Sequence, residues 1–153
     1  MARSIVLRQL TSAPKSRLQL ERKLAERDVP QEVATAVLDR FEEVQLIDDA
    51  EFARMWVRSR AQTKGLAGRA LERELAEKGI DAEAAKEALS QLTAEDEAAA
   101  AKTLVARKLK TEVDYADRAV RDKHTRRLVA MLARKGYPPS LAFQVVNDAI
   151  DAL

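Results

Sequence analysis

The chain contains no cysteine and little glycine, proline, aromatic residue or histidine. Its 153 residues include four glycines, four prolines and one histidine, and 4% of them are aromatic. The lack of cysteine excludes disulfides, thiolate metal sites and cysteine nucleophiles. A single histidine, His124, excludes a metal cluster built on several histidines. So few glycines and prolines also leave little turn chemistry for a protein made of β-hairpins.

Long hydrophobic runs are also missing from the sequence. No segment approaches the ~18 apolar residues that indicate a transmembrane helix. The first ten residues carry Arg3 and Arg8 and lack the apolar core of a signal peptide. With 46% apolar residues, the chain is too apolar to be disordered. We therefore expect a soluble cytoplasmic protein without membrane contact.

The residues that are abundant favour helix, and they recur in three related segments. The segments align without gaps and begin at Leu20 (LERKLAERDVPQEVATAVL), Leu71 (LERELAEKGIDAEAAKEAL) and Leu128 (LVAMLARKGYPPSLAFQVV). The first two share nine of nineteen residues, and these leucines lie 51 and 57 residues apart. Units of this size bury little alone and stack on their neighbours. The sequence predicts an all-α fold of three tandem three-helix repeats, forming an elongated, curved, right-handed-type array, with repeats at residues 1–47, 48–92 and 93–153.

Local signals predict how each repeat is built. Leading helices are expected over residues 3–10, 49–63 and 94–108, and a long helix over residues 118–135. Capping boxes are expected at Ser16 with Gln19 and at Thr93 with Asp96. A left-handed residue is expected at each turn, at Asp28, Gly79 and Gly136. The residues expected to face inward are Val33, Val37, Leu38, Phe52, Met55, Trp56, Ser59, Leu141, Val145 and Val146.

Catalytic chemistry finds little support in the sequence. Gly65 and Gly68 lack the Lys-Ser/Thr tail of a phosphate-binding loop. The pair Asp48-Asp49 is typical of a helix cap, since a metal would need further carboxylates. His124 and Trp56 fall on apolar stripes, which indicates packing rather than catalysis or base stacking. The sequence predicts a protein that is not an enzyme and needs no cofactor.

Charge is distributed unevenly along the chain. Residues 102–135 hold eleven Lys or Arg against four Asp or Glu. By contrast, the charged residues of the stretch 39–51 are all Asp or Glu except Arg40. On the helix expected over 118–135, a cationic face is formed by Lys123, Arg126, Arg127 and Arg134. For any one of these cations, a role in keeping the surface solvated and a role in contacting a polyanion are equally good explanations. For the cluster as a whole, contact with a polyanion is favoured, while the acidic stretch is expected to face solvent.

Residues 46–65 (LIDDAEFARMWVRSRAQTKG) and 71–80 (LERELAEKGI) resemble the central signature of the RecX regulatory proteins. The signature pairs two aspartates with a nearby Phe-Ala, then Ser-Arg, Lys-Gly and a final Lys-Gly-Ile. The third-repeat segment RKGYP is similar to the family pattern too. The residues of this structural signature are Asp48, Asp49, Phe52, Gly79 and Gly136.

The resemblance implies a monomeric, non-enzymatic regulator that lodges in the groove of the RecA–DNA filament. It implies inhibition of ATP hydrolysis, strand exchange and coprotease activity, which limits DNA recombination and repair and the SOS response. Contact with single- or double-stranded DNA is expected to be weaker and electrostatic. The expected contact residues are Arg58, Arg60, Lys64, Arg69, Arg73, Lys108, Lys123, Arg126, Arg127 and Arg134. A DNA-binding module that acts without RecA, and a helical scaffold for another protein, remain alternatives.

Overall fold

A computed structural model describes all 153 residues and contains nine α-helices and no strand. The all-α prediction is confirmed. The helices are α1 (Ala2–Ser12), α2 (Arg17–Glu26), α3 (Gln31–Glu43), α4 (Asp49–Lys64), α5 (Gly68–Glu77), α6 (Ala82–Leu89), α7 (Ala94–Lys108), α8 (Arg118–Arg134) and α9 (Pro139–Asp151).

Packing divides the chain into two compact units. Unit 1 comprises Met1–Val57 and Glu74–Ala88, and unit 2 comprises Arg58–Arg73 and Leu89–Leu153. Both α4 and α5 contribute residues to each unit, so residues 48–92 of the second predicted repeat are shared. The repeat boundaries themselves remain a prediction from sequence.

The core of unit 1 is formed by apolar faces of α1, α2 and α3. Val6, Leu24 and Leu38 are completely buried there, and Phe41 is 4% exposed. The capping box predicted at the start of α2 is confirmed: the Ser16 side chain accepts from the backbone of Gln19, whose side chain accepts from the Ser16 N–H at 2.9 Å. A fixed helix start sets which face of α2 meets the core.

Unit 2 is organised around α7, α8 and α9. Val105, Leu132 and Val146 are completely buried at its centre. The predicted capping box of α7 is confirmed, with Thr93 and Asp96 each accepting the other's backbone N–H. The predicted bounds of α7 are also those observed.

The turn between the second and third helices of each repeat contains a residue with left-handed backbone conformation, as the sequence predicts. Asp28, Gly79 and Gly136 have φ values of 60°, 79° and 100°. Gln45 and Gly65 have positive φ as well, at 61° and 65°. The last two were not predicted, because neither follows an aligned helix end.

The predicted burial of Val33 is wrong. Its side chain is 47% exposed, and the inward face of α3 is formed by Ala34, Leu38 and Phe41. These three residues recur at the i, i+4, i+7 spacing of one helix face, which places Val33 beside that face. Of the other residues predicted on α3, Leu38 is completely buried and Val37 is partly buried.

The predicted inward stripe of α4 is only partly right. Phe52 is buried, but Ser59 is exposed, and the completely buried residues are Ala53 and Val57. Apolar residues surround the first half of this helix, so periodicity alone does not define its inward face. Trp56 is half-buried and packs on Phe52 with ring centroids 5.7 Å apart, which confirms its packing role.

A joint in unit 1 connects the start of α2 with the turn after α5. The Ser16 hydroxyl donates to the Lys78 carbonyl at 2.7 Å. Gly79 lies so close to Leu18 that a Cβ on the glycine would be 2.6 Å from the leucine Cβ. We call this contact the first joint.

An equivalent joint in unit 2 connects the start of α5 with the turn after α8. The Ala67 N–H donates to the Lys135 carbonyl at 2.8 Å. A Cβ on Gly136 would lie 2.0 Å from the Ala67 carbonyl oxygen and 2.7 Å from the Ala70 nitrogen. Ala67 follows Ser16 by 51 residues and Lys135 follows Lys78 by 57, the spacings of the aligned leucines. This second joint therefore repeats the first at aligned positions.

Candidate polyanion-binding surface

All ten predicted contact cations belong to unit 2. Nine of them are exposed, and Arg60 is half-buried. Lys64, Lys108 and the four cations of the α8 face have no carboxylate within ion-pair distance. Because no internal anion neutralises them, these side chains present positive charge to solvent and to any bound partner.

In unit 1 the acidic stretch is largely occupied by internal contacts. Arg17 forms ion pairs with Glu21, Asp39 and Glu42, at 3.1 Å to Glu21 and 2.8 Å to Asp39. Hydrogen bonds to these carboxylates, that to Glu42 above all, raise the pKa of Arg17 above its already high ordinary value, so the side chain stays charged. The predicted solvent-facing role of the acidic stretch is therefore only part of its role, since two of its carboxylates hold Arg17.

The two aspartates of the signature cap helices in unit 1. Asp48 accepts the Glu51 N–H at the start of α4 at 3.1 Å, and Asp49 accepts the Arg17 N–H at the start of α2 at 2.8 Å. Burial raises the pKa of Asp49, while the Arg17 N–H acts in the opposite direction. Both aspartates thus fix helix starts, as anionic caps do.

The α8 face consists of exposed cations on the outside of unit 2. Lys123, Arg126, Arg127 and Arg134 are all exposed, and the Arg126 Nε donates to the Asp122 carbonyl at 3.4 Å. Its neighbour Arg121 differs, because it pairs with Asp151 at 2.9 Å. The face thus carries four positive charges without a counterion.

His124 lies among cations near the start of α8, and they affect its pKa. The side chain is 9% exposed and packs edge-on against Tyr115, with ring centroids 5.6 Å apart, which confirms its predicted packing role. Burial lowers the pKa of His124, and the nearby Arg127, Lys110 and Lys123 lower it further. Protonation of the imidazole is disfavoured because it would add a positive charge beside these three cations.

Lys64 and Lys108, predicted separately from sequence, line one cleft. Its volume is about 500 Å³, and two further cations, Arg107 and Lys135, line it with them. The remaining lining residues are Ala61, Gln62, Thr63, Gly65, Ala100, Thr103, Leu104 and Met131. No carboxylate lines this space, which we call the basic cleft.

The second joint holds the basic cleft in shape. Lys135 Nζ donates to the Lys64 carbonyl at 2.9 Å, and the Tyr137 hydroxyl donates to the Gly65 carbonyl at 2.8 Å. Burial, and then the nearby Glu97, raise the pKa of Tyr137 to about 12. The hydroxyl therefore keeps its proton at neutral pH, and the loop after α4 stays tied to the turn after α8.

The other predicted contact residues lie outside the basic cleft. Arg58 lines a separate cleft of about 320 Å³, in the company of Asp96 and Glu97, and donates to Gln91 Oε1 at 3.0 Å. Arg69 and Arg73 are exposed one turn apart on α5 and do not line the basic cleft.

Sequence reasoning missed Arg107 and Lys135 as members of the cleft. A signal for Lys135 was available, because it aligns with Lys78 and precedes the turn glycine in both repeats. A signal for Arg107 was its i+3 spacing from Leu104, which places both on one face of α7. Neither signal says that α4 supplies the opposite wall of the cleft.

Two features are absent from the structure. It contains no group of three or more His, Asp or Glu side chains placed to hold a metal ion. None of its helices has the length and apolar character needed to cross a membrane.

Two family models match the chain. One, described as the first three-helix domain of RecX, matches residues 2–41, and the other, described as the second three-helix domain of RecX, matches residues 48–89. Together they cover α1, α2 and most of α3, and α4 to α6.

Whole-chain comparisons agree with these models. The Regulatory protein RecX of Streptomyces coelicolor is 50% identical over 151 residues, which cover 98% of this chain and 78% of that protein. The Regulatory protein RecX of Thermobifida fusca is 45% identical over 155 residues, covering 99% of this chain and 80% of that protein.

Solved structures extend the likeness to the fold. A crystal structure of regulatory protein RecX has a TM-score of 0.79 at 27% identity, covering 96% of this chain and 70% of that one. The crystal structure of RecX from Lactobacillus salivarius has a TM-score of 0.81 at 20% identity, covering 99% and 96%, and it shows the shared fold alone. On the family models and the identities together, the chain belongs to the RecX family of regulatory proteins.

Proposed function

We propose that this chain is a non-enzymatic, monomeric regulator that acts in the cytoplasm, where it binds the RecA–DNA filament and inhibits the activities of RecA. Those activities are ATP hydrolysis, strand exchange and coprotease action, so the regulator would limit recombinational repair and the SOS response. Membership of the RecX family supports the regulatory part of this proposal, because its relatives are named regulatory proteins.

The observation that carries the contact proposal is the concentration of unneutralised cations in unit 2. A RecA–DNA filament is a polyanion along its DNA, and a surface of one charge sign raises the rate and affinity of association with it. Cations already paired within the protein, such as Arg17, contribute less because their partners compete. The α8 face and the basic cleft are therefore the proposed contact regions.

A RecA ATPase assay on single-stranded DNA tests the proposal. A stoichiometric excess of the chain is expected to lower the rate of ATP hydrolysis. The double variant Lys123→Glu/Arg127→Glu is expected to weaken this inhibition by roughly tenfold or more, as loss of charged contacts does. An ATPase rate that a stoichiometric excess of the wild-type chain leaves unchanged would overturn the proposal.

The matched control for this assay is Arg3→Glu/Arg8→Glu. Both arginines are exposed on α1 in unit 1, so the change in net charge is the same and the place differs. Inhibition is expected to be retained. An equal loss in both double variants would mean that net charge alone matters and that unit 2 has no special part.

A second candidate is DNA binding without RecA, and the unpaired α8 face favours it. Reversal of Lys123, Arg126, Arg127 and Arg134 to Glu would then abolish DNA binding measured without RecA. Affinity that did not fall with salt would count against this candidate, because phosphate contacts release counterions.

A further inference from the structure

We infer that residues 27–33, which join α2 to α3, form a docking surface for the N-terminal end of an α-helix in a partner protein. We call this surface the uncovered turn. It lies in unit 1 and contains none of the contact cations of the proposed function. The inference therefore goes beyond that function and can be tested without RecA or DNA.

The two joints show what covers a turn of this kind. In each joint, the carbonyl just before the left-handed glycine accepts a hydrogen bond from the start of a helix in the preceding repeat. Lys78 accepts from the Ser16 hydroxyl at 2.7 Å, and Lys135 accepts from the Ala67 N–H at 2.8 Å. The corresponding carbonyl of the uncovered turn is that of Arg27, and no group in the structure donates to it.

Three aligned positions are more exposed in the uncovered turn than in the turns of the two joints. The residues compared are Arg27 with Lys78 and Lys135, Val29 with Ile80 and Tyr137, and Val33 with Ala84 and Leu141. Val29 is half-buried, whereas its counterparts are 7% and 3% exposed. Arg27 is exposed and Val33 is 47% exposed, whereas the counterparts of both are half-buried. The first repeat thus presents a surface that a helix start covers in the other two.

Asp28 takes the place of the joint glycine, and its carboxylate suits the end of a helix. It has a φ of 60° and is exposed without an ion pair. Its Cβ prevents a backbone approach as close as that at Gly136, so the occupant must reach the turn through the aspartate side chain. The first N–H groups of a helix lack partners within the helix, and aspartate is among their preferred acceptors. The positive end of the helix dipole favours the carboxylate as well.

An apolar cleft beside the uncovered turn has room for side chains of the docking helix. Its volume is about 340 Å³. Its lining residues are Leu18, Glu21, Arg22, Ala25, Val29, Gln31, Ala34 and Thr35. A repeat that ends an array in solvent has a polar outer face, whereas this surface combines the cleft with the exposed Val33. An apolar side chain in the first turn of the docking helix fits both.

A second copy of this chain is a poor source of the docking helix. The two helix starts that receive turns, those of α2 and α5, are already occupied in the joints. The aligned position of the third repeat, His124, lies inside α8 and is covered by Tyr115. The occupant is therefore the helix start of a different protein.

An NMR titration of the full nitrogen-15-labelled chain with a stapled helical peptide tests the inference. The peptide comprises residues 14–26, because this helix start already receives a turn through Ser16, and the staple holds it helical. It carries Leu18→Ala, which removes the side chain that meets the turn and makes room for Asp28. Amide shifts are expected at residues 28–33 and not at the turns of the joints. Their absence at millimolar peptide would overturn the inference.

Two substitutions separate the apolar and polar contacts of the docking helix. Val33→Gln is expected to weaken peptide binding roughly fivefold to tenfold, as the loss of a buried valine does. Asp28→Asn keeps a residue that tolerates the left-handed backbone and removes the charge. It is expected to weaken binding about threefold and to reduce its salt dependence.

The matched control is Val44→Gln. Val44 is 46% exposed in unit 1 and lies outside the uncovered turn, so this variant should bind the peptide like wild type. Thermal unfolding followed by circular dichroism checks that all three variants fold, which is expected because each substituted side chain is exposed. Wild-type affinity in Val33→Gln, or an equal loss in Val44→Gln, would overturn the inference.

Analytical ultracentrifugation of the chain alone distinguishes a partner from a second copy. A monomer is expected at all concentrations, and a dimer that Val33→Gln dissociates would overturn the assignment to a different protein. A chain that binds the peptide at residues 28–33 but fails to inhibit RecA would count against the proposed function and not against the uncovered turn.

Discussion

The two joints use aligned positions of the repeats, but the contacting atoms differ. In the first joint a side-chain hydroxyl, that of Ser16, reaches the turn, and the glycine faces the Leu18 side chain. In the second joint a backbone N–H reaches the turn, and Gly136 faces the backbone of Ala67 and Ala70. The outer carbons of Leu18 can rotate away from a new neighbour, although its Cβ moves only with the backbone. The contact at Gly136 is with backbone atoms throughout and is shorter, at 2.0 Å against 2.6 Å, so the second joint tolerates less change.

This difference matters because the second joint borders the basic cleft. The backbone contact at Ala67 fixes Lys135 relative to the end of α4, which carries Lys64, and to Gly65 in the loop after it. Cations held on a rigid frame keep their spacing without an ordering cost on binding. The cleft that Leu18 of the first joint lines contains Glu21 as well as Arg22, so its charges are of both signs.

His124 is the position of the third repeat that aligns with Ser16 and Ala67, and it forms no such joint. The helix α8 has 17 residues where α2 and α5 have ten each, and it begins six residues before His124. The edge of the Tyr115 ring covers the histidine instead. In the first two repeats the turn of the following repeat packs at this aligned position. In the last repeat the position lies inside the longer helix α8 instead.

The largest expected effect is that of Gly136→Ala. The new Cβ would lie 2.0 Å from the Ala67 carbonyl oxygen, and φ is +100°, so both the contact and the backbone are strained. We expect a loss of more than ~3 kcal/mol in the free energy of unfolding. Urea denaturation measures it, and a loss below ~1 kcal/mol would show that the second joint is not rigid.

Gly79→Ala should have a smaller effect, because its nearest contact is longer than that at Gly136 and part of the obstacle can move. Its Cβ would lie 2.6 Å from the Leu18 Cβ and 2.7 Å from a terminal methyl group that can move. We expect a loss of about 2 kcal/mol, from the positive φ of 79° and the repacking of Leu18. The same urea experiment compares the two glycines directly, and an equal loss would remove the distinction between the joints.

Ser16→Ala tests the polar half of the first joint. The side chain is completely buried, caps α2 and donates to the Lys78 carbonyl. Loss of the cap and of a buried hydrogen bond should cost about 1–2 kcal/mol. Ser16→Thr keeps the hydroxyl and serves as the control in denaturation experiments, with a recovery of at least half the loss expected.

Tyr137→Phe tests the tie between the second joint and the cleft. Loss of the hydrogen bond to Gly65 should cost about 1 kcal/mol at neutral pH. Because burial raises the pKa of Tyr137 to about 12 in the folded chain, the unfolded chain ionises first and this contribution is lost as pH rises from about 10 to 12. Denaturation at several alkaline pH values should show the difference between wild type and variant changing only in that window.

The smallest expected effect concerns His124, the position without a joint. Its pKa is lowered in the folded chain, so the unfolded chain takes up the proton first. Stability should fall as pH drops below about 6.5, the ordinary histidine pKa. His124→Gln should flatten this acid-side slope in thermal unfolding, and an unchanged slope would mean that other groups produce it.

Much of the local structure was readable from the sequence. The capping boxes of Ser16 and Thr93 and the left-handed turns at Gly79 and Gly136 depend on residues within four positions of one another. The alignment of the leucines likewise anticipates nine helices in three sets. Burial was less readable where a helix is apolar on several sides, as in the first half of α4.

The sequence by itself thus determined the helices, their caps and the excess of positive charge in the last third of the chain. The tertiary structure decided which of those charges meet. Lys64 and Lys135 lie 71 residues apart, and their contact depends on a glycine that lets two backbones approach. Helices form from interactions within a turn or two, but a cleft between helix ends depends on how distant segments pack, and no local pattern encodes that distance.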